Sequence, residues 1–95
     1  MMEFIKLDKS KRKGKRYDAI FNINGKIKKI PFGSDKHENY TIHKDKERRE
    51  RYRSRHKKDN INNPISAGAL SWFLLWGESI NLNENIKKFK KKFNV

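Results

Sequence analysis

Apolar and polar positions alternate with period two over residues 16–32 and then change period. Arg16–Ile23 and Lys26–Phe32 flank Asn24-Gly25, the preferred pair for a two-residue type I′ turn. That turn opposes Ile23 to Lys26, Phe21 to Lys28, Ala19 to Ile30 and Tyr17 to Phe32. One face of the hairpin then carries Tyr17, Ala19, Phe21, Ile23, Ile30 and Phe32. The other carries Asp18, Ile20, Asn22, Ile27 and Lys29. The hairpin is half-buried, and Pro31, which lacks an N–H, puts its second strand at an edge. An isolated hairpin is marginal in water. Met2–Leu7 supplies a third strand, joined through the basic loop Ser10–Lys15, and residues 33–39 read as a loop.

Beyond residue 40 the pattern is helical. A helix from about Asp45 to His56 takes Thr41 or Asp45 as its cap, with Asp45–Arg49 and Glu47–Arg51 in the favourable i,i+4 order. Asp45, Arg49, Tyr52 and His56 share one face, and Glu47, Glu50 and Ser54 lie opposite. Only Tyr52 is large and apolar, so this helix is expected to dock weakly. Asn63-Pro64 reads as cap and first turn of a helix through Trp76, with Gly77 as its stop. This helix has no polar face, as expected of a buried hub, and Trp72 and Trp76 read as core residues rather than base-stacking platforms. Asn81 and Glu84 resemble a capping box before Leu82, Ile86, Phe89 and Phe93, a clean amphipathic stripe. The expected fold is α+β, a single domain over residues 1–95. It has a two- or three-stranded antiparallel sheet (2–33) followed by a basic helix (41–58), an apolar helix (64–76) and an amphipathic helix (82–93).

Charge adds a function class to this frame. The formal net charge is +14 on 95 residues, which points to a polyanionic partner: nucleic acid, an acidic protein or an anionic membrane. No cysteine is present, so disulfide frameworks and thiolate zinc sites are excluded. The longest strongly apolar run, Ala67–Trp76, is too short to cross a bilayer, and the N-terminus has no leader-like apolar segment. Lys, Asn and Ile supply 38 of the 95 residues, a bias that AT-rich coding alone produces, so the lysines carry less information than the arginines.

Five of the seven arginines fall within eight residues: Arg48, Arg49, Arg51, Arg53 and Arg55. Arginine grips phosphate or carboxylate through two parallel hydrogen bonds, and so dense a cluster costs self-repulsion. These five, with Tyr52 and His56, form the first candidate contact set for nucleic acid. Lys11, Arg12, Lys13, Lys15 and Arg16 form a second, giving grip without sequence readout. The alternatives are a solvated helix with internal Glu–Arg pairs and a flexible basic linker. The lysines at 87, 88 and 90–92 are ordinary for the outer side of an amphipathic helix. His43, Asp45, Glu47 and His56 suggest a metal or nuclease centre only weakly, because no nuclease or zinc spacing is present.

The strings LDKSKRKGKRYDAIF, NGK, IPFGS, NYTIHKDKERRERYRSRHKK, AGALSWFLLWG and INLNENIKKFKKKF resemble a small uncharacterised family of basic proteins from large nucleocytoplasmic DNA viruses. The chain departs from that pattern at DNINNP, where relatives carry an acidic residue and a Trp after the arginine helix. The resemblance implies a viral protein of the host cell and of the virion, and it supplies no catalytic residue. The expected function is non-catalytic, largely sequence-independent binding of nucleic acid, duplex DNA ahead of RNA, without a cofactor. The alternatives are a virion adaptor for acidic structural proteins and, remotely, a small nuclease.

Overall fold

A computed structural model describes residues 1–57 and 61–95. Three antiparallel strands come first: β1 (Met2–Lys9), β2 (Lys15–Ile23) and β3 (Lys26–Ser34), in the order β1-β2-β3. Four helices follow: α1 (Tyr40–His43), α2 (Lys46–His56), α3 (Ala67–Leu70, continuing as a π-helical turn over Ser71–Leu75) and α4 (Leu82–Phe93). The fold is α+β, as the hydrophobic pattern predicts.

The hairpin register agrees residue for residue with the sequence-based pairing, from Ile23↔Lys26 to Tyr17↔Phe32. Asn24 (φ 54°) and Gly25 (φ 87°) supply the two positive φ angles of a type I′ turn. Pro31 lies on the edge strand β3, where its missing N–H breaks no ladder. The strand β1 solves a problem of phase. Phe4 and Leu7 are three residues apart, so a regular strand would point them to opposite faces. The register shifts between Phe4 and Lys6, leaving Ile5 as a bulge; Phe4 pairs with Phe21 and Leu7 with Ala19. Both therefore reach the inner face.

That face meets the hub helix and α4. Phe4, Ala19, Phe21, Ile30 and Phe32 pack with Leu70, Leu74, Leu75 and Phe89 in one core. Phe4 meets Phe21 edge-on at 5.3 Å between ring centroids, and Phe89 lies 6.1 Å from Phe4. Full burial of side chains such as Phe21 and Phe32 stabilises the fold by roughly 1.5–3 kcal/mol each. The amphipathic reading of α4 holds: Phe89 is buried, Leu82, Ile86 and Phe93 pack against the core, and Asn81 caps by accepting from the Glu84 N–H.

Two helices and one strand differ in their bounds from the sequence expectation. The basic segment is two helices, because Lys44 adopts a left-handed conformation (φ 58°) between α1 and α2. Asn39 caps α1 and Asp45 caps α2, accepting from the N–H groups of Glu47 and Arg48. The expected end of the basic helix at residue 58 lies outside the described residues. The hub helix starts at Ala67 rather than at Asn63-Pro64. Ser66 is its cap, and Asn63 instead closes the preceding turn by accepting from the Ile65 N–H and the Ser66 hydroxyl. The strand β3 also runs into the expected loop, through Ser34.

The hub's C-terminal turn is wide, with the Trp76 N–H reaching the Ser71 carbonyl. Gly77 follows because nothing larger fits: a Cβ there would sit 2.3 Å from the Phe73 carbonyl oxygen. Asn85 of α4 is buried under this turn. Its amide donates to the Leu74 and Ser79 carbonyls and accepts from the Ser79 N–H. Replacing Asn85 by Ala strands three backbone groups, each able to cost about 1–3 kcal/mol when buried without a partner. Urea unfolding of Asn85→Ala is expected to show a loss of about 2–4 kcal/mol.

Candidate nucleic-acid interface

Helix α2 turns about 100° per residue, which sorts its side chains into three faces. Arg48, Arg51 and Arg55 fall within about 60° of one another and are exposed. Arg49 and Arg53 lie on a neighbouring face, with Tyr52 and His56 as the ridge between. Glu47, Glu50 and Ser54 occupy the remaining face. Glu47 borders the face of the exposed arginines, about 40° from Arg51, without an ion pair to it, and Glu50 lies further round, paired with Arg49.

The Arg49–Arg53 face docks onto the end of the hub helix. Arg49 Nε donates to the Gly77 carbonyl at 2.7 Å, and Arg53 Nη1 donates to the Trp76 carbonyl at 2.8 Å. A helix leaves its last carbonyls without partners and its C-terminus partially negative, so guanidinium groups suit this end twice over. The aromatic rings add contact. The Arg53 guanidinium lies 4.0 Å from the Trp72 ring centroid, and that of Arg49 lies 5.5 Å from Tyr40. Tyr52 stacks on Trp76 at 4.2 Å and 5° between planes, and His56 stacks on Tyr52 at 4.2 Å. Burial draws the Arg53 pKa below its ordinary value, with the Arg49 charge acting in the same direction. The expected Asp45–Arg49 and Glu47–Arg51 pairs do not form. Asp45 spends its carboxylate on the cap, and Arg49 pairs with Glu50 at 2.7 Å. The docking of α2, expected to be weak for want of apolar residues, is made by guanidinium and aromatic groups instead.

The exposed arginines line a cleft of about 530 Å³. Its first wall is α2, through Arg48, Arg51, Tyr52, Arg55 and His56. The opposite wall is the β3–α1 segment, through Gly33, Ser34, His37, Glu38 and Asn39. Ser71, Leu75 and Trp76 form the floor. Glu38 is the one carboxylate among these lining residues. Trp72 is buried, as expected, but Trp76 is only half-buried and borders the cleft.

The second basic patch joins the same region. The loop between β1 and β2 is a hydrogen-bonded turn, with Ser10 N–H on the Arg16 carbonyl and Lys15 N–H on that of Arg12. The Gly14 carbonyl accepts from the Asp35 N–H at 3.3 Å, and Arg16 Nη2 donates to the His37 carbonyl at 2.8 Å. Arg16 therefore ties the loop to the far wall of the cleft. Lys11, Arg12, Lys13 and Lys15 remain exposed beside it.

The histidine–carboxylate set does not converge. His43 Nδ1 accepts from the Asp45 N–H at 2.9 Å, and Asp45 caps α2. His56 lies against Tyr52. Among the described residues, no three His, Cys, Asp or Glu side chains come together in a way that would hold a metal ion. Among those residues no helix is long and apolar enough to cross a membrane either.

These features define a small basic α+β protein with a cationic cleft between its second helix and the end of its sheet. Residues 5–56 match the family of unknown function DUF5754, which is more than half of the chain, and the chain belongs to that family. The matched region runs from the β1 bulge through α2 and contains both basic patches and both walls of the cleft. No curated protein and no solved structure matches the chain.

Two outcomes test this division of the arginines. Arg53→Ala is expected to lower stability by about 1–3 kcal/mol, since the Trp76 carbonyl loses a charged donor. Arg48→Ala, Arg51→Ala and Arg55→Ala should each stay within about 0.5 kcal/mol of the parent. Urea unfolding separates the two groups. His43 gives a pH test. Burial lowers its pKa from 6.5, helped by the charge of Arg48 and opposed by Asp45 and Glu38. The unfolded chain then binds a proton that the folded chain resists, so the His43 contribution is fully present above pH 6.5 and declines as the pH falls below it. His43→Asn retains an acceptor for the Asp45 N–H without a titrating group. Its unfolding free energy should fall less than that of the parent between pH 7 and pH 5.

Proposed function

We propose that this protein binds nucleic acid non-catalytically and largely without regard to sequence, with DNA as the favoured partner. The observation that carries the reading is the set of three exposed arginines on one face of α2. Glu50 is engaged by Arg49, Glu47 borders Arg51 without pairing to it, and the carbonyls that would otherwise attract a guanidinium are already satisfied by Arg49 and Arg53. Among the described residues no side-chain hydrogen bond or ion pair holds Arg48, Arg51 or Arg55 in place, yet their mutual repulsion is retained. A polyanion offsets that repulsion by releasing its condensed counterions to solvent. Lys11, Arg12, Lys13 and Lys15 extend the contact surface. Arg49, Arg53 and Arg16, committed to backbone carbonyls, hold the surface in shape rather than face the ligand.

The resemblance to proteins of large nucleocytoplasmic DNA viruses supports a viral origin. It makes the genome of such a virus, in the infected cell or in the particle, the natural partner. A virion adaptor for acidic proteins would use the same cations but would have no need of an aromatic-bordered cleft.

Contact with roughly five to eight phosphates gives a log–log salt slope of about −5 to −7 on duplex DNA. The triple variant R48A/R51A/R55A should bind all sequences more weakly, with a slope shallower by about 3. Fluorescence anisotropy at 50–200 mM salt measures both. Affinity that is flat across this range contradicts the proposal.

A further inference from the structure

From the cleft we infer a narrower specificity, resting on the nucleic-acid reading above: the protein takes one unpaired nucleotide of a strand, and so favours single-stranded overhangs over blunt duplex. The first support is shape. A duplex is a convex cylinder whose phosphates ride on its outside, and it meets cations best on an open surface. Here Arg48, Arg51 and Arg55 stand along one wall of a cleft closed on its other side by the segment from Ser34 to Asn39. At about 530 Å³ the cleft has the size of a small-ligand pocket. It admits a single nucleotide and excludes a base pair held within a stack.

The second support is chemistry. Tyr52 and Trp76 border the cleft beside the arginines. Tyr52 is stacked between Trp76 and His56, so the cleft offers ring edges, and an unpaired base can meet these edge-to-face whatever its identity. A paired base inside a helix cannot reach them. Three guanidinium groups for the backbone and ring edges for the base suit an unpaired nucleotide of any sequence.

The third support is continuity, which favours a strand over a free nucleotide. The exposed cations of the Lys11–Lys15 loop are joined to the cleft's far wall by the Asp35–Gly14 and Arg16–His37 hydrogen bonds. A free mononucleotide would fill the cleft and leave that second patch idle. A strand that enters the cleft at one nucleotide can lay its neighbouring phosphates along the loop.

The test compares four probes at fixed salt: a blunt duplex, the same duplex with a four-nucleotide single-stranded overhang, the overhang oligonucleotide alone, and a deoxynucleoside monophosphate. The overhang duplex is expected to bind about tenfold more tightly than the blunt one, the scale of one or two edge-to-face aromatic contacts. It should also quench tryptophan emission. Ser34→Leu, which narrows the cleft and gives up the Ser34 Oγ bond to the Lys36 N–H, should bring overhang-duplex affinity down to that of the blunt duplex for the same variant, its folding checked by the unfolding midpoint; a preference that survives in the folded variant overturns the cleft inference. Equal affinity for blunt and overhang duplexes, each still salt-dependent, overturns the cleft inference and leaves the nucleic-acid reading standing. Equal affinity for the free mononucleotide and the overhang overturns the assignment to a strand. Failure to bind any of the polymers overturns both readings.

Discussion

The structure depends on two guanidinium groups bonded to two carbonyls. The hub helix ends in a wide π turn at Leu75, and the carbonyls just past it, at Trp76 and Gly77, take their donors from another helix. Arg53 and Arg49 supply them, and Asn85 supplies the Leu74 carbonyl from the other side. Gly77 is confined by the Phe73 carbonyl, so the chain leaves the helix along one path. These contacts fix α2, which buries no residue fully, against a core it could not otherwise join. Hydrophobic burial holds the sheet, the hub and α4 together. Charge-assisted hydrogen bonding holds the basic helix to them.

That docking decides which cations meet solvent. Because Arg49 and Arg53 turn inward, the helix cannot rotate, and Arg48, Arg51 and Arg55 are held toward the β3–α1 segment. The stacked Tyr52 and Trp76 rings lie between the two sets and belong to both. One short helix thereby does two things with one residue type, and the distinction lies in what each guanidinium faces. A lysine in place of Arg49 or Arg53 would bring a point charge without the planar fork that suits both a carbonyl and a neighbouring ring.

Much of this was legible in the residues themselves. The Asn24-Gly25 turn fixed the hairpin register because two positive φ angles permit little else. The Leu82–Phe93 stripe identified α4 because its period is unambiguous. The third strand at Met2–Leu7 was legible too, but not its bulge at Ile5, which only the pairing with β2 shows. Other features left no local trace. A helix apolar on every side has no phase, so neither its π turn nor its start at Ala67, behind the Ser66 cap, could be read from periodicity. The helical wheel grouped Arg49 with Tyr52 and His56. Only the tertiary position of the Trp76 and Gly77 carbonyls shows why Arg49 and Arg53 differ from the other three. The far wall of the cleft is the end of β3, with Ser34, and the loop after it, with His37 and Glu38, which carries no pattern.

The central claim, that the arginines of α2 divide into a pair that holds the fold and a trio that meets the ligand, is tested most directly by following the arginine side-chain N–H resonances by NMR as DNA is added. The account predicts that the Nε–H of Arg49 and the guanidinium of Arg53 exchange slowly with solvent and keep their shifts, while those of Arg48, Arg51 and Arg55 exchange rapidly in the free protein and move on binding. Five arginines that respond alike, or an Arg49 and Arg53 as quick to exchange as the rest, would contradict it.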